Sequence, residues 1–500
     1  MLRKQPFQLL FLLPALSLFG QSLSGQDAGM ALSTLVSYRT QRASLQLTGD
    51  QAKTADLMAE EAQKETQASH YDEAMRRYEH GFAAMHGVDW TPAVELVSSF
   101  QAKLNHALAA PGDQIAVSLV PLYVTERAAS EKVRASVVLV PTRKEGPPEK
   151  TLTPSGEINL PFIATVAVPP APEGDYTLQV RMTLADGTSP DGLRAAFVKS
   201  LPVHIEALSA EAEKLRIRLA AVQKDSPALP SAQYVLAHYE QADRGEVSPA
   251  RYNFRGEIAS ANAILDSLDA GRDPFAGKQG DLRKAYLSNV DHTLQPYRLF
   301  IPSQYDGTKP VPLVVALHGM GGDENSMFEG YQEALKPQAQ RVGFIIVCPK
   351  GRDPASMYRG TAEQDVLDTL AQVRRDYRID SNRIYLMGHS MGGYGTWSIA
   401  IAHPEIFAAL GPISGGGNTA AMDKIKNIPQ YVTHGDDDRT VNVSQSRAMV
   451  AAGRKLNAPI TYVEVPGGSH VSVAEPAFAP MMDFFAKQSK NNTSGSGGTR

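Results

Sequence analysis

The pentapeptide Gly-His-Ser-Met-Gly at residues 388–392 constrains the fold more than any other stretch of this sequence. It follows an apolar, strand-like run that ends at Met387 and precedes a helix-like run over residues 396–402. A Gly-x-Ser-x-Gly sequence lets a strand turn sharply into a helix, because the glycines leave room for a serine in a strained backbone conformation. The pattern therefore predicts a nucleophile elbow with Ser390 as the nucleophile, rather than an ordinary tight turn.

The composition is that of globular domains: 500 residues, 43% hydrophobic and 20% charged, are enough for several separate cores. The net charge of -4 gives no overall basic surface, and the sequence has no long Lys/Arg block, so nucleic acid is not an expected partner. The single cysteine, Cys348, excludes an intrachain disulfide. It lies in an apolar run, where buried packing is expected rather than a catalytic thiol.

Residues 1–25 have the pattern of a secretory signal peptide. Arg3 and Lys4 precede an apolar stretch over residues 7–19, and small residues follow it. This apolar core is shorter than the roughly 20 residues that a membrane helix needs, although an uncleaved anchor is the alternative. We expect a secreted or periplasmic protein without stable membrane insertion after signal cleavage.

Two domains are predicted between the signal peptide and residue 207. Residues 26–111 are rich in Ala, Glu, Gln and Lys at helical spacing, which predicts a helical domain, with a tetratricopeptide array as the alternative. Over residues 112–207 the period changes to two, with Pro, Gly and Asp turns, and this predicts an immunoglobulin-like β-sandwich. The strand candidates are residues 115–119, 133–140, 162–168, 176–184 and 197–205.

Helical periodicity returns over residues 208–276, which we call the helical bridge. In residues 277–490, strand runs alternate with helical runs, and this predicts an α/β fold with a mostly parallel sheet and helices on both faces. The clearest helix is expected to start at a capping box formed by Thr361 and Gln364. The polar tail 491–500 is predicted to be disordered. The buried strand runs are residues 313–317, 344–347, 384–387, 408–413, 430–433 and 460–465.

A glycine-rich turn, His-Gly-Met-Gly-Gly at residues 318–322, follows one of these strand runs and is called the oxyanion turn below. Sites on such sheets lie at the carboxyl ends of the strands. A glycine-rich turn at this place can present backbone N–H groups to a developing oxyanion. We predict the N–H groups of Met320 and Met391 as the two donors. On its own, the turn would be interpreted as a flexible loop.

An acid and a base are expected after later strands. Residues 434–438 read His-Gly-Asp-Asp-Asp, and one of the aspartates is expected to orient the catalytic imidazole. The residues alone leave Asp436, Asp437 and Asp438 open, and a metal site built from them with His434 is the alternative.

The last strand run leads into a glycine-rich loop that contains His470, the predicted general base. The order of serine, aspartate and histidine along the chain is that of an α/β-hydrolase, whereas other serine hydrolase folds use different orders. The predicted fold of residues 277–490 is therefore an α/β-hydrolase.

Residues 281–488 resemble secreted bacterial esterases related to the prolyl oligopeptidase catalytic domain and to feruloyl-esterase-type carboxylesterases. The matching segments are residues 293–302, 318–322, 358–360, 388–393 and 434–441. The resemblance implies a triad of Ser390, Asp438 and His470, hydrolysis of carboxylic esters and no cofactor. The propeller of prolyl oligopeptidases has no counterpart, because the upstream sequence shows no four-stranded repeat of the required period.

Together these features predict a serine carboxylesterase that needs neither cofactor nor metal. Its expected substrate is a small-molecule or polysaccharide-linked ester, cleaved through an acyl-enzyme intermediate. Two alternatives are a serine peptidase of prolyl-oligopeptidase type and a non-catalytic glycan- or partner-binding protein that carries an idle hydrolase domain.

Overall fold

The computed structural model describes residues 28–125, 131–143, 145–222, 226–250, 252–353 and 355–490. The predicted signal peptide, residues 1–25, and the predicted disordered tail, residues 491–500, lie outside the described residues. Within the described ranges, no helix combines the length and the apolar character that crossing a membrane requires.

The first part of the described chain is helical. Its helices are α1 (Ala28–Ser44), α2 (Gly49–Gln67), α3 (Tyr71–Met85) and α4 (Pro92–Ser99). Residues three or four apart share one helix face, so Ala55 and Ala62 of α2 and Tyr78 of α3 are buried together with Tyr38 of α1. The Tyr38 hydroxyl donates to the carbonyl oxygen of Ala55 at 2.7 Å, which satisfies a polar group inside this small core.

A pair of sheets with a common core follows. One sheet has the strand order β1-β3-β6 and the other β2-β8-β7-β4-β5. Side chains two apart on a strand lie on the same face, and Val117, Val137 and Val180 from the two sheets are buried in one cluster. The short helix α5 (Arg194–Phe197) precedes the last strand. The strands are β1 (Phe100–Leu104), β2 (Leu108–Ala109), β3 (Gln114–Pro121), β4 (Val133–Pro141), β5 (Lys150–Glu157), β6 (Phe162–Ala167), β7 (Gly174–Leu184) and β8 (Val198–Ile205).

The boundary predicted between residues 111 and 112 lies too late in the chain. Strands β1 and β2 fall inside the predicted helical domain, yet they pair with β3 and β8 of the sheets. Helix α4 ends at Ser99 and leads directly into β1 at Phe100. Both strands are short, and the helical composition before them hides the change of period. The immunoglobulin-like assignment stays a prediction.

The helical bridge contains α6 (Ser209–Ala220), α7 (Leu229–Asp243) and α8 (Phe254–Asp269), which pack around a core of their own. On one side, the carboxylate of Asp243 accepts the backbone N–H of Leu108 at 3.2 Å. On the other side, the hydroxyl of Ser231 accepts the N–H of Ala285 at 3.0 Å. The bridge therefore contacts both the sheets before it and the domain after it.

The C-terminal domain is built on a mixed sheet with the strand order β16-β15-β14-β13-β11-β12-β10-β9. The β9/β10 and β10/β12 pairs are antiparallel, and the pairs from β12 through β11 to β16 are parallel. The carboxyl ends of the parallel strands consequently lie along one edge of the sheet. The strands are β9 (Gly280–Leu287), β10 (Leu294–Ile301), β11 (Val311–Leu317), β12 (Ile345–Pro349), β13 (Ile379–His389), β14 (Ala409–Ile413), β15 (Gln430–Gly435) and β16 (Ile460–Val465).

Helices cover both faces of this sheet, as parallel strands require. Leu370 of α11, Trp397 of α12 and Met449 of α13 belong to the cluster on one face. Leu335 of α10 and Phe478 of α14 belong to the cluster on the other face. The helices are α9 (Ser326–Glu329), α10 (Leu335–Val342), α11 (Thr361–Asp376), α12 (Met391–Ala402), α13 (Ser444–Lys455) and α14 (Ala474–Ala486).

The capping box predicted for α11 is wrong. The residue before the helix is Gly360, and Thr361 is already helical, so its hydroxyl is one position too late to cap the first turn. The Gln364 backbone N–H donates to the Gly360 carbonyl at 3.1 Å, while its side-chain amide donates to Asp368. The helix nevertheless begins at Thr361, the residue at which the sequence predicts its start.

Candidate active site

Ser390 lies at a sharp turn between a strand and a helix. Strand β13 ends at His389 and α12 begins at Met391, while Ser390 between them has φ 57° and ψ -117°. A Cβ atom on Gly392 would lie 2.2 Å from the carbonyl oxygen of Leu317, so only glycine fits there. The Ser390 N–H donates to the Ile413 carbonyl at 2.9 Å, which fixes the turn against β14. The strained geometry leaves the serine hydroxyl at the carboxyl edge of the sheet.

The structure brings Ser390, His470 and Asp438 into one chain of hydrogen bonds. The Ser390 hydroxyl donates to Nε2 of His470 at 2.8 Å. The Nδ1–H of His470 donates to Oδ2 of Asp438 at 2.7 Å. A carboxylate in this position holds the imidazole in the tautomer that can accept the serine proton, and it stabilises the imidazolium that forms.

Asp438 is held as an anion by its surroundings. Its Oδ1 accepts the backbone N–H groups of Thr440 and Val441 at 2.9 and 2.8 Å. Its Oδ2 lies 3.1 Å from Nε2 of the buried His434, in addition to His470. Burial alone would raise the pKa of Asp438, but the hydrogen bonds from His434, His470 and Val441 outweigh it and hold the pKa well below its usual range. Asp438 is therefore ionised at neutral pH.

The other two aspartates of the triplet have different environments. Asp437 is exposed and lies 3.3 Å from the guanidinium of Arg439. Oδ1 of Asp436 accepts the N–H of Gly467 at 2.6 Å. Asp436 thus supports the loop that carries His470 without contacting the imidazole.

The oxyanion turn packs against the serine. A Cβ atom on Gly319 would lie 3.4 Å from Cβ of Ser390, which shows how closely the turn approaches it. The Gly322 N–H donates to the Gly319 carbonyl at 3.1 Å and closes the turn. Neither the Met320 N–H nor the Met391 N–H donates to another described group. Met391 is the first residue of α12, where N–H groups lack partners within the helix. Both predicted donors therefore lack a hydrogen-bond acceptor among the described residues.

His389 is a site residue that the sequence reasoning missed. Its side chain is 4% exposed, and its Nε2–H donates to the backbone carbonyl of His470 at 2.8 Å. The Tyr331 hydroxyl donates to its Nδ1 at 2.8 Å. Burial, together with the nearby His470 ring, lowers the pKa of His389 to about 4. A neutral His389 therefore braces the loop on which the predicted base lies.

The depressed pKa of His389 predicts a pH-dependent stability. Its folded-state pKa of about 4 lies below the unfolded value of 6.5, so the unfolded chain binds the proton first as pH falls. The stability contributed by neutral His389 is present above pH 6.5 and is lost progressively toward pH 4. The difference in unfolding free energy between wild type and His389→Gln, measured by urea denaturation, should shrink by on the order of 3 kcal/mol over this range. A difference that stays constant with pH would contradict the assignment of His389 as a neutral brace.

The alternative of a metal site concerns the acid triplet and His434. Across the ranges that the structure describes, no group of three or more His, Cys, Asp or Glu side chains could hold a metal ion. Cys348 lies in β12, where burial raises the pKa of its thiol well above the usual value. Such a thiol stays protonated and packs as a small apolar group.

Comparison with known proteins finds similarity to esterases. Residues 293–452 match the family model described as putative esterase. The bifunctional acetylxylan esterase/xylanase XynS20E of Neocallimastix patriciarum is 33% identical over 140 residues, or 27% of this chain. A probable feruloyl esterase C of Aspergillus oryzae is 29% identical over 220 residues, or 42% of this chain. Among solved structures, a thermostable esterase aligns with 78% of this chain and 99% of its own, at 18% identity and a TM-score of 0.39.

The matches to curated proteins cover only part of this chain and differing shares of the relatives. The alignment spans 20% of the length of the Neocallimastix protein and 79% of that of the Aspergillus protein. Both alignments and the family model concern proteins described as esterases. Residues 293–452 of this chain are therefore similar to esterases.

Proposed function

We propose that this protein is a serine hydrolase that cleaves carboxylic esters through an acyl-enzyme intermediate. The observation that carries the proposal is the chain of hydrogen bonds from Ser390 through His470 to Asp438, at 2.8 and 2.7 Å. In this proposal Ser390 is the nucleophile, His470 the general base and Asp438 the acid that orients it.

The proposed mechanism follows from these positions. His470 accepts the Ser390 proton through Nε2 as the serine oxygen attacks the ester carbonyl carbon. The N–H groups of Met320 and Met391 hold the negative charge on the tetrahedral oxygen. His470 then donates the proton to the leaving alcohol, and water repeats the sequence on the acyl-enzyme. Ionised Asp438 stabilises the imidazolium in both halves of the reaction.

The substrate class is proposed from the relatives. A feruloyl esterase and an acetylxylan esterase are among the proteins that this chain matches, so aromatic and acetyl esters, small or attached to a polysaccharide, are the substrates to test first. We propose no cofactor and no metal for this reaction, because the mechanism is complete with the groups named.

The organisation of the remaining chain is also a proposal. The common core of the two sheets supports an immunoglobulin-like module between residues 100 and 205, and α1 to α4 support a separate helical domain before it. The order of Ser390, Asp438 and His470 along the chain supports an α/β-hydrolase fold, and the relation to prolyl oligopeptidase catalytic domains rests on the sequence resemblance alone. The pattern of residues 1–25 supports export to the periplasm or the medium.

Matched esters and amides test the proposed reaction. We expect the purified protein to hydrolyse 4-nitrophenyl acetate and methyl ferulate, and to leave acetyl-4-nitroanilide and a prolyl-4-nitroanilide peptide intact. The release of nitrophenol, nitroaniline or ferulate is followed by absorbance. Turnover of the prolyl anilide without ester hydrolysis would favour the peptidase alternative and contradict the proposal.

A further inference from the structure

We propose that the helical bridge takes part in catalysis, because Tyr252 and Tyr234 hold the segment that directly follows the oxyanion turn. The inference rests on the proposed function, and it makes both tyrosines positioning residues for the Met320 N–H. It assigns a role to residues 208–276, a part of the chain that the mechanism above does not use.

Tyr252 forms a hydrogen bond with Asp323, the first residue after the oxyanion turn. Its hydroxyl donates to Oδ2 of Asp323 at 2.9 Å and accepts the side-chain amide of Asn325 at 2.9 Å. Oδ1 of Asp323 in turn accepts the backbone N–H of Asn325 at 2.9 Å. The guanidinium of Arg283, on β9, lies 5.4 Å from the centre of the Tyr252 ring and donates to Asn325 at 2.6 Å. One hydroxyl from the bridge thus connects to a small polar network in residues 323–325.

Tyr234 forms a hydrogen bond with Glu324, the second residue after the oxyanion turn. Its hydroxyl, on α7, donates to Oε1 of Glu324 at 3.3 Å and accepts the Nδ1–H of His238 at 3.2 Å. Glu324 is 1% exposed, and burial raises the pKa of its carboxyl group, with the neighbouring Asp323 adding to the effect. A buried carboxyl group needs hydrogen-bond donors, because water does not reach it. Consecutive acidic residues after the turn are therefore bonded to two tyrosines of the bridge.

The turn itself has a second anchor on its other side. Nε2 of His318 is 2.7 Å from the carbonyl oxygen of Lys350, which follows β12 in the hydrolase sheet. Met320 lies between this anchor and the anchor at residues 323–325. Gly321 and Gly322 line a cleft of about 1260 Å³ between the bridge and the C-terminal domain, which Tyr234 and Tyr252 also line. Because one side of the turn faces this cleft, hydrogen bonds rather than packing have to fix its position there.

Small displacements of an oxyanion donor have large effects on rate. A misplacement of about 1 Å can cost on the order of 100-fold in rate, and loss of one donor costs about 10²–10³ in kcat. Removing one supporting hydroxyl should displace the donor without removing it. We therefore expect a loss of about tenfold in kcat for each tyrosine, with KM within about twofold of wild type.

The test compares Tyr252→Phe and Tyr234→Phe with Tyr239→Phe as the control. Tyr239 is also on α7, but its hydroxyl makes no hydrogen bond to any described residue, so its loss should leave kcat unchanged. Rates are measured for 4-nitrophenyl acetate and for the corresponding thionoester. Sulfur is a weak hydrogen-bond acceptor, so displaced donors slow the oxygen ester more than the thionoester. A general folding defect would slow both equally.

We expect the ratio of the oxygen-ester rate to the thionoester rate to fall in Tyr252→Phe and Tyr234→Phe and to stay constant in Tyr239→Phe. Unchanged kcat in Tyr252→Phe and Tyr234→Phe would overturn the inference while leaving the proposed function intact. A lower kcat in these two variants with an unchanged ratio of oxygen-ester to thionoester rate would do the same. A wild-type protein inactive on both substrates would refute the proposed function, and this inference with it.

Discussion

Replacing Ser390 by alanine should reduce kcat for 4-nitrophenyl acetate by about 10⁶, since a nucleophile and its base act as one unit. The change removes one hydroxyl and its 2.8 Å bond to His470, so the thermal midpoint should stay close to that of wild type. His470→Ala should be nearly as damaging, and the double variant should be no slower than either single one.

Ser398→Ala is the matched control for this experiment. Ser398 is also in α12, but its hydroxyl donates to the carbonyl of Gly395 at 3.2 Å and contacts no triad residue. Its kcat should equal that of wild type. If Ser390→Ala kept a rate near wild type while remaining folded, another residue would have to be the nucleophile.

Replacing Asp438 by asparagine should lower kcat by about 10⁴ at neutral pH. Asparagine keeps the size of the side chain and one carbonyl oxygen for the N–H groups of Thr440 and Val441. Its amide cannot accept the Nδ1–H of His470 as a carboxylate does, so the imidazole loses both its tautomer and the support for its charge.

The two neighbouring aspartates provide graded controls. Asp437→Asn should be neutral, because Asp437 is exposed and contacts only Arg439 among the charged groups described. Asp436→Asn should have a small effect, because an asparagine carbonyl can still accept the Gly467 N–H. Full activity in Asp438→Asn, with a large loss in either neighbour, would assign the acid to that neighbour instead.

The placement of Ser390, Asp438 and His470 could be predicted because residues that follow parallel strands lie at the same edge of the sheet. Each residue follows a strand run, and the carboxyl ends of neighbouring parallel strands meet at one edge. Strands β13, β15 and β16 supply the three positions, and the order of motifs along the chain thereby determines their proximity. The choice among the three aspartates depended on the family resemblance, since spacing alone does not distinguish them.

The residues that brace the site could not be predicted in the same way. His389 bonds to Tyr331 and His470, which are 58 and 81 positions away in the sequence. No periodicity or turn signal relates residues at such distances. The residues next to His389 in the sequence do not indicate which groups its side chain contacts. Asp436 is a similar case, because its bond to Gly467 depends on how the β15 and β16 loops meet.

Five strands were not predicted: β9 and β10 of the C-terminal sheet, and β1, β2 and β5 of the two sheets before the helical bridge. The last three have weak alternation. Strand β5 is mostly exposed at an edge of its sheet, and only a few of its residues are apolar, so the period of two is faint. Strands β1 and β2 have five and two residues, which is too short for a pattern. Edge and short strands form because longer neighbours offer hydrogen bonds, and this is a tertiary effect.

The predicted boundary at residue 276 separates the helical bridge from the C-terminal domain, although hydrogen bonds connect the two. Ser231, Tyr234 and Tyr252 of the helical bridge all bond to residues of the C-terminal domain. Composition marks the glycine-rich stretch before residue 280 as a linker, but it carries no information on side-chain contacts across it. The bridge is therefore better described as part of the surroundings of the site than as a spacer.

Mass spectrometry can locate the residue that accepts the acyl group. Wild-type protein is treated with a fluorophosphonate, which reacts with an activated serine, and the labelled peptide is sequenced. We expect rapid, stoichiometric labelling at Ser390, slow labelling in His470→Ala and none in Ser390→Ala. Labelling at a different residue, or ester turnover that continues while Ser390 is unlabelled, would contradict the assignment of Ser390 as the nucleophile.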